Sequence, residues 1–345
     1  MAEPRRIVIC DDSRTYATAL KQFLEHDPGI EVVGVFATAD ELLPELERID
    51  PDLVTMDLEM PGIGGQRAIE QIMRDRPLPI LVLSAHAGKG TERAAAALAA
   101  GALDAMPKSG LRLAEPQNVW ATALRSRVKR LASVRLNRRS TNATAARRPP
   151  SRVIGARRAR VVGIGASTGG PPALVELLRE LPAEFQIPVL IVQHIAPGFT
   201  EGLVRWLDSN TPLPVRVARA GVAAERGVWF AADDAHLRLK DGMRLAIDSE
   251  TERGPHRPSL DVLFESLAAV AADEAVGVVL TGMGRDGAEG VQAIGSAGGL
   301  VIAQDEASSA VFGMPNAAIE SGAEAVLPLP EIGPAVRSLR AVTTK

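Results

Sequence analysis

The chain predicts an α/β protein of two modules, each a doubly wound parallel sheet, joined by a basic linker. Three observations lead there. Short runs rich in Val, Ile and Leu alternate with helical patterns, first over residues 6–133 and again over 161–321. The 345 residues are 46% hydrophobic and 23% charged, enough for two ordinary cores. Charge also divides the chain. Residues 1–115 hold 12 Lys/Arg against 19 Asp/Glu and residues 161–345 hold 14 against 23, whereas residues 116–160 hold 13 basic residues and no acid. A basic block between two acidic modules reads as a linker, so the expected division is 1–125, a linker over 126–158, and 159–345.

In the first module, strands are expected at 6–10, 31–35, 53–56, 80–83 and 104–106, and helices at 14–26, 39–48, 64–75, 89–100 and 114–133. The segment 134–158 carries Pro149-Pro150 and many arginines and reads as extended or flexible. The second module predicts strands at 161–166, 188–193, 213–218, 276–281 and 299–303, and helices at 172–181, 200–208, 260–272, 287–297 and 316–321. Three short runs, 227–231, 236–240 and 243–248, read as hairpin strands, with Lys240-Asp241-Gly242 as a tight turn.

Several classes are excluded early. No run reaches the ~18 apolar residues of a membrane span, and MAEPRRIVICDDS lacks a signal peptide's apolar core. Cys10 is the single cysteine and falls in an apolar strand, where a buried inert thiol is expected. A soluble, cytoplasmic protein follows. Grooves that hold nucleic acid interleave aromatics with their basic residues. Here the basic block offers only Trp120, so no nucleic acid is expected.

Chemistry in the first module gathers where strands end. Asp11 and Asp12 follow the first strand, Asp57 ends the third, Ser84 ends the fourth and Lys108 follows the fifth. A parallel sheet brings all five to one edge. Three carboxylates together call for a hard divalent cation, Mg2+ in a cell. A lysine and a hydroxyl beside them supply donors for a phosphoryl group, and Met60-Pro61-Gly62 turns the chain after Asp57. Phosphoryl transfer onto a carboxylate is the chemistry indicated.

Over about residues 4–125 these motifs resemble the response-regulator receiver family. The resemblance implies that Asp57 accepts a phosphoryl group from a histidine kinase. It also implies that Asp12, Asp57 and the Glu59 carbonyl hold Mg2+, with Asp11 acting through water, and that Ser84 and Lys108 read the phosphorylated state. Two positions depart from the family pattern: Ala105 stands where an aromatic switch residue is usual, and Ser109 where proline follows the lysine. Both bear on signal relay rather than on phosphorylation.

In the second module Gly165-Ala166-Ser167-Thr168-Gly169 fits G-x-S-x-G between a strand and a helix, the setting of a nucleophile elbow. A dinucleotide loop and a plain helix start share this look. The acid that binds a ribose is expected at the end of the next strand, but that strand ends in Gln193-His194. No lysine follows the glycines, which excludes a P-loop. A serine nucleophile needs a base and an orienting acid. His194 is the best placed of the five histidines, with His256 second, while His236 reads as surface or structural. Asp286, in the glycine-rich turn Thr281-Gly-Met-Gly-Arg-Asp-Gly287, follows a strand and is placed to orient His194. The N–H groups of Thr168 and Met283 are the expected oxyanion donors. Gly169 and Gly170 read as room for a substrate side chain.

Gly-Ile-Gly-Ala-Ser-Thr-Gly-Gly, Val-Gln-His, Arg-Pro-Ser-Leu-Asp-Val-Leu-Phe and Leu-Thr-Gly-Met-Gly-Arg-Asp-Gly, behind a receiver-like module, are similar to the chemotaxis protein-glutamate methylesterase/glutaminase family, CheB. The likeness spans about residues 4–340. It implies hydrolysis of glutamate γ-methyl esters and deamidation of certain glutamines on chemoreceptor helices, with Ser167, His194 and Asp286 on the catalytic positions. It further implies no metal for the ester chemistry, activation by phosphorylation of the receiver, and adaptation in chemotaxis as the role. A monomer is expected. A receiver-controlled DNA-binding protein and a nucleotide-binding regulator are the alternatives.

Overall fold

A computed structural model describes residues 3–84, 89–111, 118–134, 136, 154 and 157–342. The expectation of a flexible linker through 134–158 falls almost wholly outside them, as does His86. The chain forms two compact units, residues 1–139 and 140–345.

In the first unit the elements run β1 (Arg5–Cys10), α1 (Arg14–Glu25), β2 (Ile30–Phe36), α2 (Ala39–Leu42), α3 (Leu46–Ile49), β3 (Leu53–Asp57), α4 (Gly64–Asp75), β4 (Ile80–Ser84), α5 (Lys89–Ala99), β5 (Asp104–Pro107) and α6 (Val119–Leu131). The five strands are parallel in the order β2-β1-β3-β4-β5. All five residues of β3 and of β4 are buried, as strands covered on both faces must be. The helix expected over 39–48 is instead two short helices split by a 3-10 turn at Leu43–Glu45. Pro44 has no N–H to donate and its ring crowds the preceding turn. Asn118 caps α6 by accepting from the Ala121 N–H at 2.8 Å. Cys10 is 1% exposed, and burial pushes its thiol up to about 12, so it is an inert core residue.

In the second unit the order is β6 (Arg158–Ala159), β7 (Val161–Ala166), α7 (Gly170–Arg179), β8 (Val189–Gln193), α8 (Thr200–Asn210), β9 (Val215–Val217), β10 (Val228–Phe230), β11 (His236–Lys240), β12 (Arg244–Asp248) and α9 (Leu260–Ala271). There follow β13 (Ala275–Val279), α10 (Ala288–Ser296), β14 (Leu300–Gln304), α11 (Met314–Glu320), β15 (Ala325–Leu327), α12 (Leu329–Arg337) and β16 (Arg340–Ala341). Seven parallel strands lie in the order β15-β14-β13-β7-β8-β10-β9, and β11 and β12 form the expected antiparallel pair.

One of the three runs assigned to a hairpin belongs elsewhere. β10 lies in the main sheet, parallel to both β8 and β9. Val228, Trp229 and Phe230 are all buried. A continuous apolar run of this kind suits a strand covered on both faces, not an alternating hairpin. The sequence reading also missed β15 and α12. The segment 329–337 carries Pro330 and Pro334, yet Pro330 occupies the first turn of the helix, where no N–H is needed. Packing supplies the rest: Ile332, Ala335 and Val336 are fully buried, and Gly333 lies so close to Glu180 on α7 that a Cβ there would sit 2.6 Å from the Glu180 Cβ.

Both sheets contain a point where the strand order reverses, β1/β3 in the first and β7/β13 in the second. Ligand sites of open parallel sheets form at the carboxyl ends of the strands flanking such a point.

Candidate active site

Ser167, His194 and Asp286 each follow the carboxyl end of one of three adjacent strands, β7, β8 and β13. The His194 N–H donates to the Ala166 carbonyl at 2.9 Å, and the Ser167 N–H donates to the Thr281 carbonyl at 3.1 Å, so the three strand ends are tied together by backbone. Ser167 is half-buried, within reach of a substrate.

His194 Nε2 lies 2.8 Å from Asp286 Oδ2, with only 10% and 8% of the two side chains exposed. Burial pushes the Asp286 carboxyl up, but the hydrogen bond and charge of His194, the Leu260 N–H and the Ser259 hydroxyl outweigh it. The net effect holds the group well below the usual carboxylate range. An ionised carboxylate accepts only, so Nε2 carries the proton and Nδ1 the lone pair. Nδ1 is buried and has no hydrogen-bond partner among the described residues. This places the basic nitrogen on Nδ1, the reverse of the ring orientation in chymotrypsin-like triads. No hydrogen bond joins it to Ser167 Oγ among the described residues. Such contacts are often loose until substrate is bound.

Asp286 is held by groups that sequence spacing does not reveal. Ser259 Oγ donates to Oδ1 at 2.7 Å, the Leu260 N–H to Oδ2 at 2.7 Å, and the Asp261 N–H to Oδ1 at 3.4 Å. The carboxylate therefore caps α9 from 25 or more residues away, and the positive helix end stabilises its charge. Ser259, the ordinary capping residue by sequence, gives its hydroxyl to Asp286 instead. Its N–H in turn donates to Nδ1 of His236 at 3.1 Å, while His236 Nε2 donates to the Thr251 carbonyl at 3.0 Å. His236 is 1% exposed and is a structural histidine. His256, the second candidate base, stacks on His194 with ring centroids 4.2 Å apart and planes 11° apart. It closes one face of the imidazole.

Gln193 was also missed. Its Nε2 donates to the carbonyls of Ser167 and His194, both at 2.9 Å, fixing the two residues to one amide. Thr281 does the same for the far side: Oγ1 donates to the Thr168 carbonyl at 3.0 Å and accepts from the Val311 N–H at 2.9 Å, and its N–H donates to Gln304 Oε1 at 2.7 Å. The N–H groups of Thr168 and Met283 donate to nothing among the described residues.

The glycines serve the protein's own packing rather than a substrate side chain. Gly169 has φ +74, and a Cβ there would lie 2.6 Å from the Ala310 Cβ; one on Gly170 would strike Gln193 Oε1. The expectation of open room at these two positions is therefore corrected. A Cβ on Gly282 would collide with Met314 Sδ and stand 2.8 Å from the Ser167 Cβ. Gly282→Ala accordingly displaces Ser167, and kcat on an ester substrate is expected to fall about a hundredfold with little change in KM.

The first unit gathers a second set of groups. Asp11 and Asp57 are buried and Asp12 is exposed, and one carboxylate oxygen from each lies within 4.8 Å of the others. Lys108 Nζ stands 2.7 Å from both Asp11 Oδ2 and Asp57 Oδ2. Burial pushes the Asp11 carboxyl up, against the opposing effect of Lys108. Ser84 is 4% exposed at the end of β4. The Glu59 carboxylate pairs with Arg93 at 2.9 Å. Three clustered carboxylates fit a hard divalent cation.

Residues 162–336 match the family described as CheB methylesterase, and residues 7–112 match the response regulator receiver domain. A protein-glutamate methylesterase/protein-glutamine glutaminase 3 of Myxococcus xanthus is 44% identical over 92% of this chain and 88% of its own length. The chain belongs to the CheB methylesterase family. Another CheB-type relative, the protein-glutamate methylesterase/protein-glutamine glutaminase 2 of Pseudomonas aeruginosa, is 37% identical over 96% of both chains. The CheB methylesterase catalytic domain of Thermotoga maritima, a solved structure, is 38% identical with a TM-score of 0.50, covering 52% of this chain and 97% of that one. Membership displaces the DNA-binding and nucleotide-binding readings. No helix among the described residues is long and apolar enough to cross a membrane.

Proposed function

We propose that this CheB-family enzyme is a phosphorylation-activated protein-glutamate methylesterase and protein-glutamine glutaminase acting on chemoreceptor helices in the cytoplasm. The observation that carries the reading is the convergence of Ser167, His194 and an ionised Asp286 at the β7/β13 reversal, with His194 Nδ1 unpartnered among the described residues. Ser167 Oγ attacks the γ-carbonyl carbon as its proton passes to His194 Nδ1. The Thr168 and Met283 N–H groups hold the oxyanion. Collapse breaks the bond to the methoxy oxygen, which takes the proton from His194 and leaves as methanol. Water then attacks the glutamyl ester of Ser167, giving its proton to His194, and glutamate departs with the serine restored. With a glutamine side chain, ammonia leaves in place of methanol.

In the receiver unit Asp57 accepts the phosphoryl group, with a histidine kinase as donor. Asp12, Asp57 and the Glu59 carbonyl, with Asp11 through water, would hold Mg2+, which supplies charge neutralisation for the incoming phosphoryl oxygens. Lys108 and Ser84 contact those oxygens and read the phosphorylated state. The enzyme works as a monomer on this reading.

Methanol release from a methylated receptor fragment tests it. A small acyl phosphate with Mg2+ should raise the wild-type rate by roughly 5- to 150-fold, the usual span of an allosteric coupling. Asp57→Asn should keep the basal rate and lose the rise. An equal rise in Asp57→Asn would contradict the receiver assignment.

A further inference from the structure

The ring of Tyr16, the chain's single tyrosine, lies beneath the ammonium of Lys108, with Nζ 4.7 Å from the ring centroid. Tyr16 sits in the first turn of α1, and its N–H donates to the cap residue Ser13 at 3.3 Å. The Ser13 N–H in turn donates to Asp11 Oδ1 at 3.1 Å. The aromatic is thus anchored through Ser13 to Asp11, one of the two carboxylates that the lysine bridges. Ala105, three residues before Lys108, is fully buried and offers no ring.

Lys108 currently bridges Asp11 and Asp57 at 2.7 Å each. Two events of the phosphorylation cycle remove those partners. A divalent cation held by the acidic cluster competes for Asp11 and repels the ammonium. Phosphorylation then converts Asp57 into an acyl phosphate, and Lys108 must shift to a phosphoryl oxygen. Among the described residues the ring face of Tyr16 is the contact of the ammonium that consumes neither carboxylate, a cation over an aromatic face being attracted by its quadrupole.

We propose that Tyr16 is a positioning residue for Lys108: its ring face retains the ammonium in the pocket while cation and phosphoryl group take over its carboxylates. The inference rests on Asp57 being the phosphoacceptor. In the step concerned, the bond between the donor's acyl oxygen and phosphorus breaks and a carboxylate leaves. A bond from an Asp57 carboxylate oxygen to phosphorus forms, with no net proton transfer. Tyr16 touches none of these atoms and acts through Lys108.

The test is the rate of Asp57 labelling in the full chain with acetyl phosphate and Mg2+. Tyr16→Leu should slow it roughly three- to thirtyfold, the range of a partly desolvated cation–π contact. Tyr16→Phe keeps the ring and should stay within about twofold of wild type. In a Lys108→Ala background, Tyr16→Leu should cost almost nothing more, since the partner it holds is gone. Without metal, Lys108→Ala should shift the near-ultraviolet band of the single tyrosine. Wild-type labelling by Tyr16→Leu, a Phe variant as slow as the Leu variant, an equal loss in both backgrounds, or an unmoved tyrosine band would each overturn the proposal. Labelling of Asp57→Asn at the wild-type rate would overturn the phosphoacceptor reading and the proposal with it.

Discussion

Ser167→Ala is expected to lower kcat/KM for methyl-ester hydrolysis by about 10^4- to 10^6-fold, the scale seen when a triad nucleophile is removed. The loss should fall on kcat, because the alanine leaves the oxyanion donors and the surrounding packing in place. The Ser167 backbone is held independently of its hydroxyl: its N–H donates to the Thr281 carbonyl, and its carbonyl accepts from Gln193 Nε2. The variant should therefore fold like the wild type and bind receptor with unchanged affinity. Residual activity reflects oxyanion stabilisation and positioning alone. Adding His194→Ala should cost little more, since residues acting as a unit are not additive.

Asp286→Asn is expected to reduce kcat by about 10^4-fold. An asparagine has one acceptor oxygen where Asp286 uses two, accepting from His194, Leu260, Ser259 and Asp261. If the amide oxygen takes the Oδ1 place, facing the Ser259 hydroxyl and the Asp261 N–H, the NH2 group faces both His194 Nε2 and the Leu260 N–H. The ring then adopts the tautomer with its proton on Nδ1 and can no longer accept from Ser167. If the oxygen takes the Oδ2 place instead, it keeps His194 and the Leu260 N–H, but the NH2 group meets the Ser259 hydroxyl and the Asp261 N–H, at a cost of ~1–2 kcal/mol. The same group sets a pH dependence. Its folded pKa is depressed, so its contribution to stability is fully present above the unfolded value near ~3.9 and fades as pH falls through the lower folded value. The stabilities of wild type and Asp286→Asn should differ by a constant amount above the unfolded value near ~3.9 and draw together progressively as pH falls below it.

Much of both sites was readable because a parallel sheet places strand ends together without any knowledge of the intervening loops. Ser167, His194 and Asp286 required only that three runs be strands and that the strands be parallel. The same logic placed Asp11, Asp12, Asp57, Ser84 and Lys108. What escaped depended on contacts between distant segments. That Asp286 caps α9, leaving Ser259 to serve the carboxylate, follows from the packing of β13 against β7 and has no local signature. Gln193 has no chemical signature at the end of its strand, yet its amide joins the carbonyls of two residues that follow different strands. β10 and α12 were misread for related reasons: three buried residues carry no period, and two prolines obscure a helix that burial sustains. The glycine-rich turns were the reverse case. Their compactness was legible, but what fills the space beside Gly169 and Gly170 was not.

Rapid acid quench of the enzyme mixed with a methylated receptor peptide, followed by mass mapping, tests the central claim most directly. The account predicts a burst of about one methanol per enzyme. It also predicts an adduct on Ser167 equal in mass to the peptide less methanol, absent from Ser167→Ala and not accumulating in Asp286→Asn. Methanol release by Ser167→Ala at the wild-type rate, or an adduct mapping to another residue, would contradict it.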